Sequence, residues 1–147
     1  MQIKDFMTQD HRECDSHFAL VEEALQEGDF KKAKEEFEKF MGHTLRHFAQ
    51  EEELLFVEFS NATGFSGGPV EVMKYEHNQL RGLLEQLKGA LDSQNTQEFF
   101  GISEGMMILL QQHNMKEEQM LYNMIQMHLG GRNDEFVEKL KNFSMTF

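Results

Sequence analysis

The sequence is poor in residues that break helices or staple chains together. Its 147 residues include one proline, one cysteine, two tyrosines and no tryptophan. A lone proline, Pro69, leaves long stretches free to be helical, since proline both removes a backbone donor and clashes with the preceding turn. A lone cysteine, Cys14, excludes an internal disulfide and fits a reducing compartment. No apolar run approaches the ~20 residues of a membrane span. The start, Met1-Gln2-Ile3-Lys4-Asp5, does not read as a secretory signal. Cations are scarce as well: 14 Lys and Arg against 26 Asp and Glu give a formal net charge of −12. Such a surface repels phosphates, so nucleic acids and anionic membranes are excluded as partners. The expectation is a soluble cytoplasmic protein of one domain, residues 1–147, long enough to bury a core.

What is present is helical patterning. Helix-forming stretches are expected at about 3–26, 29–61, 69–91 and 97–129. Gly28, the segment Thr63-Gly64-Phe65-Ser66-Gly67-Gly68 and Asp92-Ser93-Gln94-Asn95-Thr96 form the breaks. Gly130-Gly131 ends the fourth helix, and a short fifth is expected at about 134–143. Each long helix carries one apolar stripe. The first gives Met7, His11, Cys14, Phe18, Val21 and Leu25, and the third gives Met73, His77, Leu80, Leu84, Leu87 and Leu91. The second gives Phe37, Phe40, Met41, Thr44, His47, Glu51, Leu55 and Phe59. The fourth runs from Phe99, Ile102, Met106, Leu109 and Leu110 through His113 and Glu117 to Met120, Leu121 and Met124. At about 100° per residue each stripe spans an arc of about 120°. His and Glu therefore lie inside the core stripes.

The chain repeats itself after 66 residues: His11 falls on His77, His47 on His113, Glu51 on Glu117, Glu52 on Glu118, Met7 on Met73, Leu55 on Leu121 and Phe56 on Tyr122. Two copies of a helical hairpin can pack about a pseudo-twofold axis as an up-down-up-down four-helix bundle. The all-α expectation follows, with a short C-terminal helix added.

The repeated motif is His47-x-x-x-Glu51-Glu52 and His113-x-x-x-Glu117-Glu118. Residues four apart share a helix face, so each motif aims an imidazole and a carboxylate inward. The partner helices add His11 and His77. Burying six such groups unpaired would be costly, and metal coordination relieves the cost. Two carboxylates can bridge two ions, with two histidines on each. The donor set suits iron, manganese or zinc, and sulfur ligands are absent. A mononuclear site, or histidines serving only as satisfied core residues, are the blander alternatives. Ferritin-like bundles use Glu-x-x-His, which occurs nowhere in the chain.

These residues, Asp10-His11, His47 with Glu51, Glu76-His77, and His113 with Glu117, make helices one to four resemble the hemerythrin-like, or HHE cation-binding, family. The resemblance implies an up-down bundle with two iron ions under an oxo or hydroxo bridge, and a small diatomic ligand, O2 or NO. The oxygen carriers have one more histidine a turn before the third-helix ligand, where this chain has Met73. They also place an aspartate one residue further from the fourth-helix histidine than Glu117. Both departures bring the chain nearer the four-His, two-Glu members, which include iron-sensing and iron–sulfur repair proteins. The repair proteins carry an additional N-terminal domain with cysteine, which is not found in this sequence. The leading expectation is a non-haem di-iron protein that binds O2, NO or related ligands in a sensing, binding or protective role. An iron store, a di-iron enzyme acting on NO or peroxide, and cluster repair are the alternatives. No general acid, nucleophile or substrate pocket is readable, so no enzyme is claimed.

Other residues read as secondary. Cys14 is expected as a small buried hydrophobe. His43, one turn before His47, is a polar layer residue, a fifth histidine ligand or a partner that supports a ligand from behind. His17 and His128 are not expected to be ligands. Asp15 either orients His11 or is solvated, and Glu52 and Glu118 are expected on the solvated face.

Overall fold

The computed structural model describes residues 1–65 and 67–144. Ser66 of the expected glycine-rich loop, and residues 145–147, lie outside the described residues. The chain is helical, with no strand among those residues. In order come α1 (Ile3–Gln26), α2 (Phe30–Gln50), a π turn (Glu51–Leu55), α3 (Phe56–Thr63), α4 (Pro69–Asp92), α5 (Thr96–Lys116), a second π turn (Glu117–Leu121), α6 (Tyr122–Leu129), a 3-10 turn (Gly130–Arg132) and α7 (Asn133–Lys141). Each π turn joins its neighbours into one unbroken arm, so four arms make the bundle. α1 packs on α2 and α4 on α5, the two hairpins meet through α1 with α6 and α2 with α4, and α7 lies against α1.

The hairpin turns share one design. Gly28 and Gln94, 66 residues apart, both have positive φ, 74° and 53°. Around them Asp29 N–H donates to Ala24 O and Asn95 N–H to Ala90 O, both at 2.9 Å, which closes the ends of α1 and α4. The next residue opens the following helix: Asp29 accepts from Lys32 N–H and Asn95 from Glu98 N–H, each at 3.0 Å. α7 is fastened to the other helices by hydrogen bonds at both of its ends. Asn133 accepts from Ile3 N–H at 2.9 Å, which supplies the cap that α1 lacks locally, and Gln50 donates to Leu140 O at 2.9 Å.

The apolar stripes of α1 and α4 are buried throughout, from Met7 to Leu25 and from Met73 to Leu91. The stripe of the fourth arm departs from expectation after Glu117: Met120 is 47 % exposed, whereas Tyr122, Ile125 and Leu129 are buried. The cause is the π turn. There Tyr122 N–H bonds to Glu117 O, five residues back rather than four. The extra residue shifts the phase of everything beyond it by one position, which an uninterrupted 3.6-residue period does not anticipate. The second arm does the same, with Phe56 N–H bonded to Glu51 O.

Apolar packing falls into two separate clusters. One surrounds Phe18, Phe37, Phe40, Leu84, Phe99 and Met106; the other surrounds Ile3, Leu55, Phe59, Met73, Ile125 and Phe136. The histidines and carboxylates form a polar layer between them.

Candidate metal centre

All six residues expected as ligands converge in that layer. Glu51, His77, His113 and Glu117 have no exposed surface, and His11 and His47 are 3 % and 4 % exposed. Rings from the same hairpin sit together, His11 with His47 at 4.6 Å between centroids and His77 with His113 at 4.9 Å. Donor atoms of Glu51, His77, His113 and Glu117 lie within 4.8 Å of one another, as do those of His11, His47 and Glu117. Either group could hold a metal ion, and Glu117 belongs to both.

The imidazoles are held by four further carboxylates. Nδ1 of His47 lies 2.6 Å from Asp10 Oδ2, and Nδ1 of His113 lies 2.9 Å from Glu76 Oε1. Nδ1 of His11 lies 2.8 Å from Glu118 Oε2, and Nδ1 of His77 lies 2.6 Å from Glu52 Oε2. A carboxylate accepts, so each Nδ1–H donates, and each Nε2 is left facing the centre. The pseudo-twofold repeat carries Asp10 onto Glu76 and Glu52 onto Glu118. Arg12 and Arg81 in turn hold Glu118 and Glu52, at 2.7 and 2.8 Å. Lys116 holds Glu76.

Glu52 and Glu118 are thus not on a solvated face. Each reaches across the interface between hairpins to a histidine of the other half, a contact that helical phase within one arm does not reveal. Asp15 accepts from Gln111 at 2.9 Å, and the carboxylate that orients His11 is Glu118. His43 Nε2 lies 3.0 Å from Asp10 Oδ1, so it shares with His47 the carboxylate that orients that ring. His17 packs on the His43 ring at 5.2 Å and His128 on Phe59 at 5.5 Å. Cys14 is buried, with Sγ 3.0 Å from Thr44 Oγ1. Tyr122 is the residue that sequence reasoning passed over. Its hydroxyl lies 2.8 Å from Glu51 Oε2 and 3.1 Å from Glu117 Oε1. In an α-helix a residue five on is turned about 140° away; the π turn brings it back above Glu117.

The electrostatics describe a site that needs positive charge. Burial alone would lower the His11 and His77 pKa values, yet the facing carboxylates carry both up to about 9. Burial and the charge of Glu117 push the Glu51 carboxyl up, while hydrogen bonds from Glu51, His11 and His113 outweigh burial and hold Glu117 down. Burial would raise Asp10 and Glu52 too, but His43 and His47 keep Asp10 well below the carboxylate range, and His77 with Arg81 brings Glu52 down to about 2. Even so, Glu51 Oε1, Glu117 Oε2, His77 Nε2 and His113 Nε2 are buried without a hydrogen-bond partner. His77 Nε2 and Glu51 Oε1 are 3.0 Å apart but poorly aligned for a hydrogen bond. Each orphan of this kind costs about 1–3 kcal/mol. They are two imidazole nitrogens and two carboxylate oxygens facing one another, the donor set of a divalent or trivalent cation.

No curated protein and no solved structure matches the chain. Among the described residues no helix is long and apolar enough to cross a membrane. A sequence model for the hemerythrin HHE cation-binding domain matches residues 2–144, nearly the whole chain. The convergent imidazoles, their carboxylate supports and that match have one reading: the chain belongs to the hemerythrin HHE cation-binding domain family, a family of metal-binding helical proteins.

Proposed function

We propose that His11 and His47 hold one iron ion, His77 and His113 a second, and Glu51 and Glu117 bridge the two. We further propose that this pair binds O2, NO or a related small ligand, in a sensing, binding or protective role. The observation that carries the reading is the convergence of donors: every one of the six residues directs a nitrogen or oxygen to the same buried layer, and four of these atoms, on Glu51, His77, His113 and Glu117, have no hydrogen-bond partner there. Iron held there would supply redox change and open coordination positions. The protein's own part is to fix geometry and exclude water. Asp10, Glu52, Glu76 and Glu118 lock the imidazole tautomers, which raises their basicity toward a metal. Phe48 stacks on His77 at 4.1 Å and Phe56 flanks the same ring at 6.1 Å, forming an apolar wall. Four of the six residues have no exposed surface, so only a small ligand fits without displacing side chains.

Metal analysis of protein purified without added metal, then saturated with iron, tests the reading. About two irons per chain are expected, together with a visible spectrum that changes when the reduced protein meets NO or O2. Saturation at a single metal, or a reduced protein whose spectrum ignores both gases, overturns it. Binding without turnover separates this role from a peroxide- or NO-consuming enzyme, which would deplete its substrate steadily with a reductant present.

A further inference from the structure

The two halves of the site match in their histidines, their bridging carboxylates and their supporting carboxylates. They differ at one pair of positions that reach the centre. Tyr122 and Phe56 stand 66 residues apart, each five residues after its carboxylate and each restored to the inner face by a π turn. Tyr122 lies along His11 at 5.5 Å between centroids, and Phe56 along His77 at 6.1 Å. At this pair of positions the halves therefore differ by a single oxygen.

That oxygen is crowded by donors. It lies 3.1 Å from His11 Nε2, 3.1 Å from His47 Nε2, 3.1 Å from Glu117 Oε1 and 2.8 Å from Glu51 Oε2. A phenol has one hydrogen to donate, so hydrogen bonding accounts for one of these approaches as donor. The recurring 3.1 Å has another reading. Neighbouring ligands at about 2.1 Å from one ion, at right angles, stand about 3.0 Å apart. His11 Nε2 and Glu117 Oε1 are themselves 3.1 Å apart. The phenol oxygen thus stands at the spacing of an adjacent ligand from two imidazole nitrogens and a carboxylate oxygen, and those three atoms lie within 4.8 Å of one another. On the other side, Phe56 offers no such atom.

We propose that Tyr122 is a metal ligand, giving its phenol oxygen to the ion held by His11 and His47. The two ions are then inequivalent: the His11–His47 ion is filled by one more protein donor, and the His77–His113 ion keeps the position open to a small ligand. This rests on the two-iron reading above. Ligation replaces the O–H bond by an O–iron bond and releases the proton to solvent, with no change in oxidation state.

The test uses the full chain loaded with iron(III), with iron counted per chain, and reads visible absorption and resonance Raman scattering. The chain has only one other tyrosine, Tyr75, which is 64 % exposed and not part of the buried layer. Native protein and Tyr75→Phe are expected to show a phenolate-to-iron(III) charge-transfer band with enhanced phenolate ring modes. Tyr122→Phe is expected to lose both while keeping helical circular dichroism, because phenylalanine already fills the matching place at Phe56. Native protein that holds two irons yet shows no phenolate modes overturns the proposal and leaves the two-iron reading intact, with Tyr122 as a hydrogen-bond donor to Glu51. Modes that survive in Tyr122→Phe overturn it equally. A native chain that saturates below two irons sinks the two-iron reading and this proposal together.

Discussion

Nδ1 of His77 lies 2.6 Å from Oε2 of Glu52, a residue of the opposite hairpin and the immediate neighbour of a bridging candidate, Glu51. The contact spans the pseudo-twofold interface, and the repeat returns it as His11 with Glu118 at 2.8 Å. Each half of the bundle thus aims the histidine of the other. Assembly of the two hairpins and orientation of the imidazoles become one event.

Replacing these supports should weaken metal binding without abolishing it. Glu52→Ala and Glu118→Ala are each expected to lower iron affinity about 10–100-fold, the usual effect of losing a carboxylate behind a metal-bound histidine. Glu104→Ala, at an exposed position, is the control. Competition with a chelator of known affinity reads the difference. Affinity unchanged in both variants would mean that tautomer control at His77 and His11 comes from elsewhere.

Removing a bridge should cost more than removing a support. Glu51 and Glu117 face both histidine pairs, with Glu51 Oε1 at 3.7 Å from His47 Nε2 and 3.0 Å from His77 Nε2. Glu51→Ala and Glu117→Ala are therefore expected to lose both irons, whereas a residue serving one ion would lose one. Iron counted per chain after gel filtration distinguishes the two. A variant that retains a single tightly held iron would show that its carboxylate does not bridge.

Cys14 should be chemically silent in the folded protein. Burial pushes its thiol up to about 12, and the Thr44 contact offsets only part of that. Against an ordinary value of ~8.5, the thiolate at pH 8 is reduced roughly a thousandfold. Iodoacetamide labelling followed by mass spectrometry should find Cys14 unmodified until denaturant is added. The sign for stability follows: the unfolded thiol ionises first, so this group's contribution is intact below about pH 8.5 and falls as pH rises beyond it. Rapid labelling of folded protein would mean that the helix carrying Cys14 opens locally.

Gln94 holds a left-handed conformation, φ 53°, where the first hairpin has Gly28 at φ 74°. A side chain costs about 1–2 kcal/mol there, and glycine returns part of the gain as entropy of the unfolded chain. Gln94→Gly is expected to stabilise the protein by about 0.5–1 kcal/mol. Thermal or urea unfolding of the iron-free protein reads this directly, free of any shift from bound metal. Destabilisation would mean that the Gln94 side chain makes a contribution larger than its strain.

The sequence by itself determined the four arms, the repeat and the six convergent residues. Those features depend on local chemistry. Apolar residues at helical spacing must face inward, a capped turn such as Gly28-Asp29 must end one helix and start another, and residues four apart must share a face. His47 with Glu51 and His113 with Glu117 are of this kind. Only the tertiary structure decided what surrounds them. Glu52 and Glu118 sit one residue round the helix from the ligand face, and within their own arms they read as solvated. They gain their role because the other hairpin brings His77 and His11 against that flank. Tyr122 was hidden for a different reason. Its place five residues after Glu117 turns outward in an α-helix and inward across a π turn, and no residue type in Glu117–Leu121 announces that turn. Its consequence exists only once the four arms are together, when the Tyr122 hydroxyl meets Glu51 of the other hairpin.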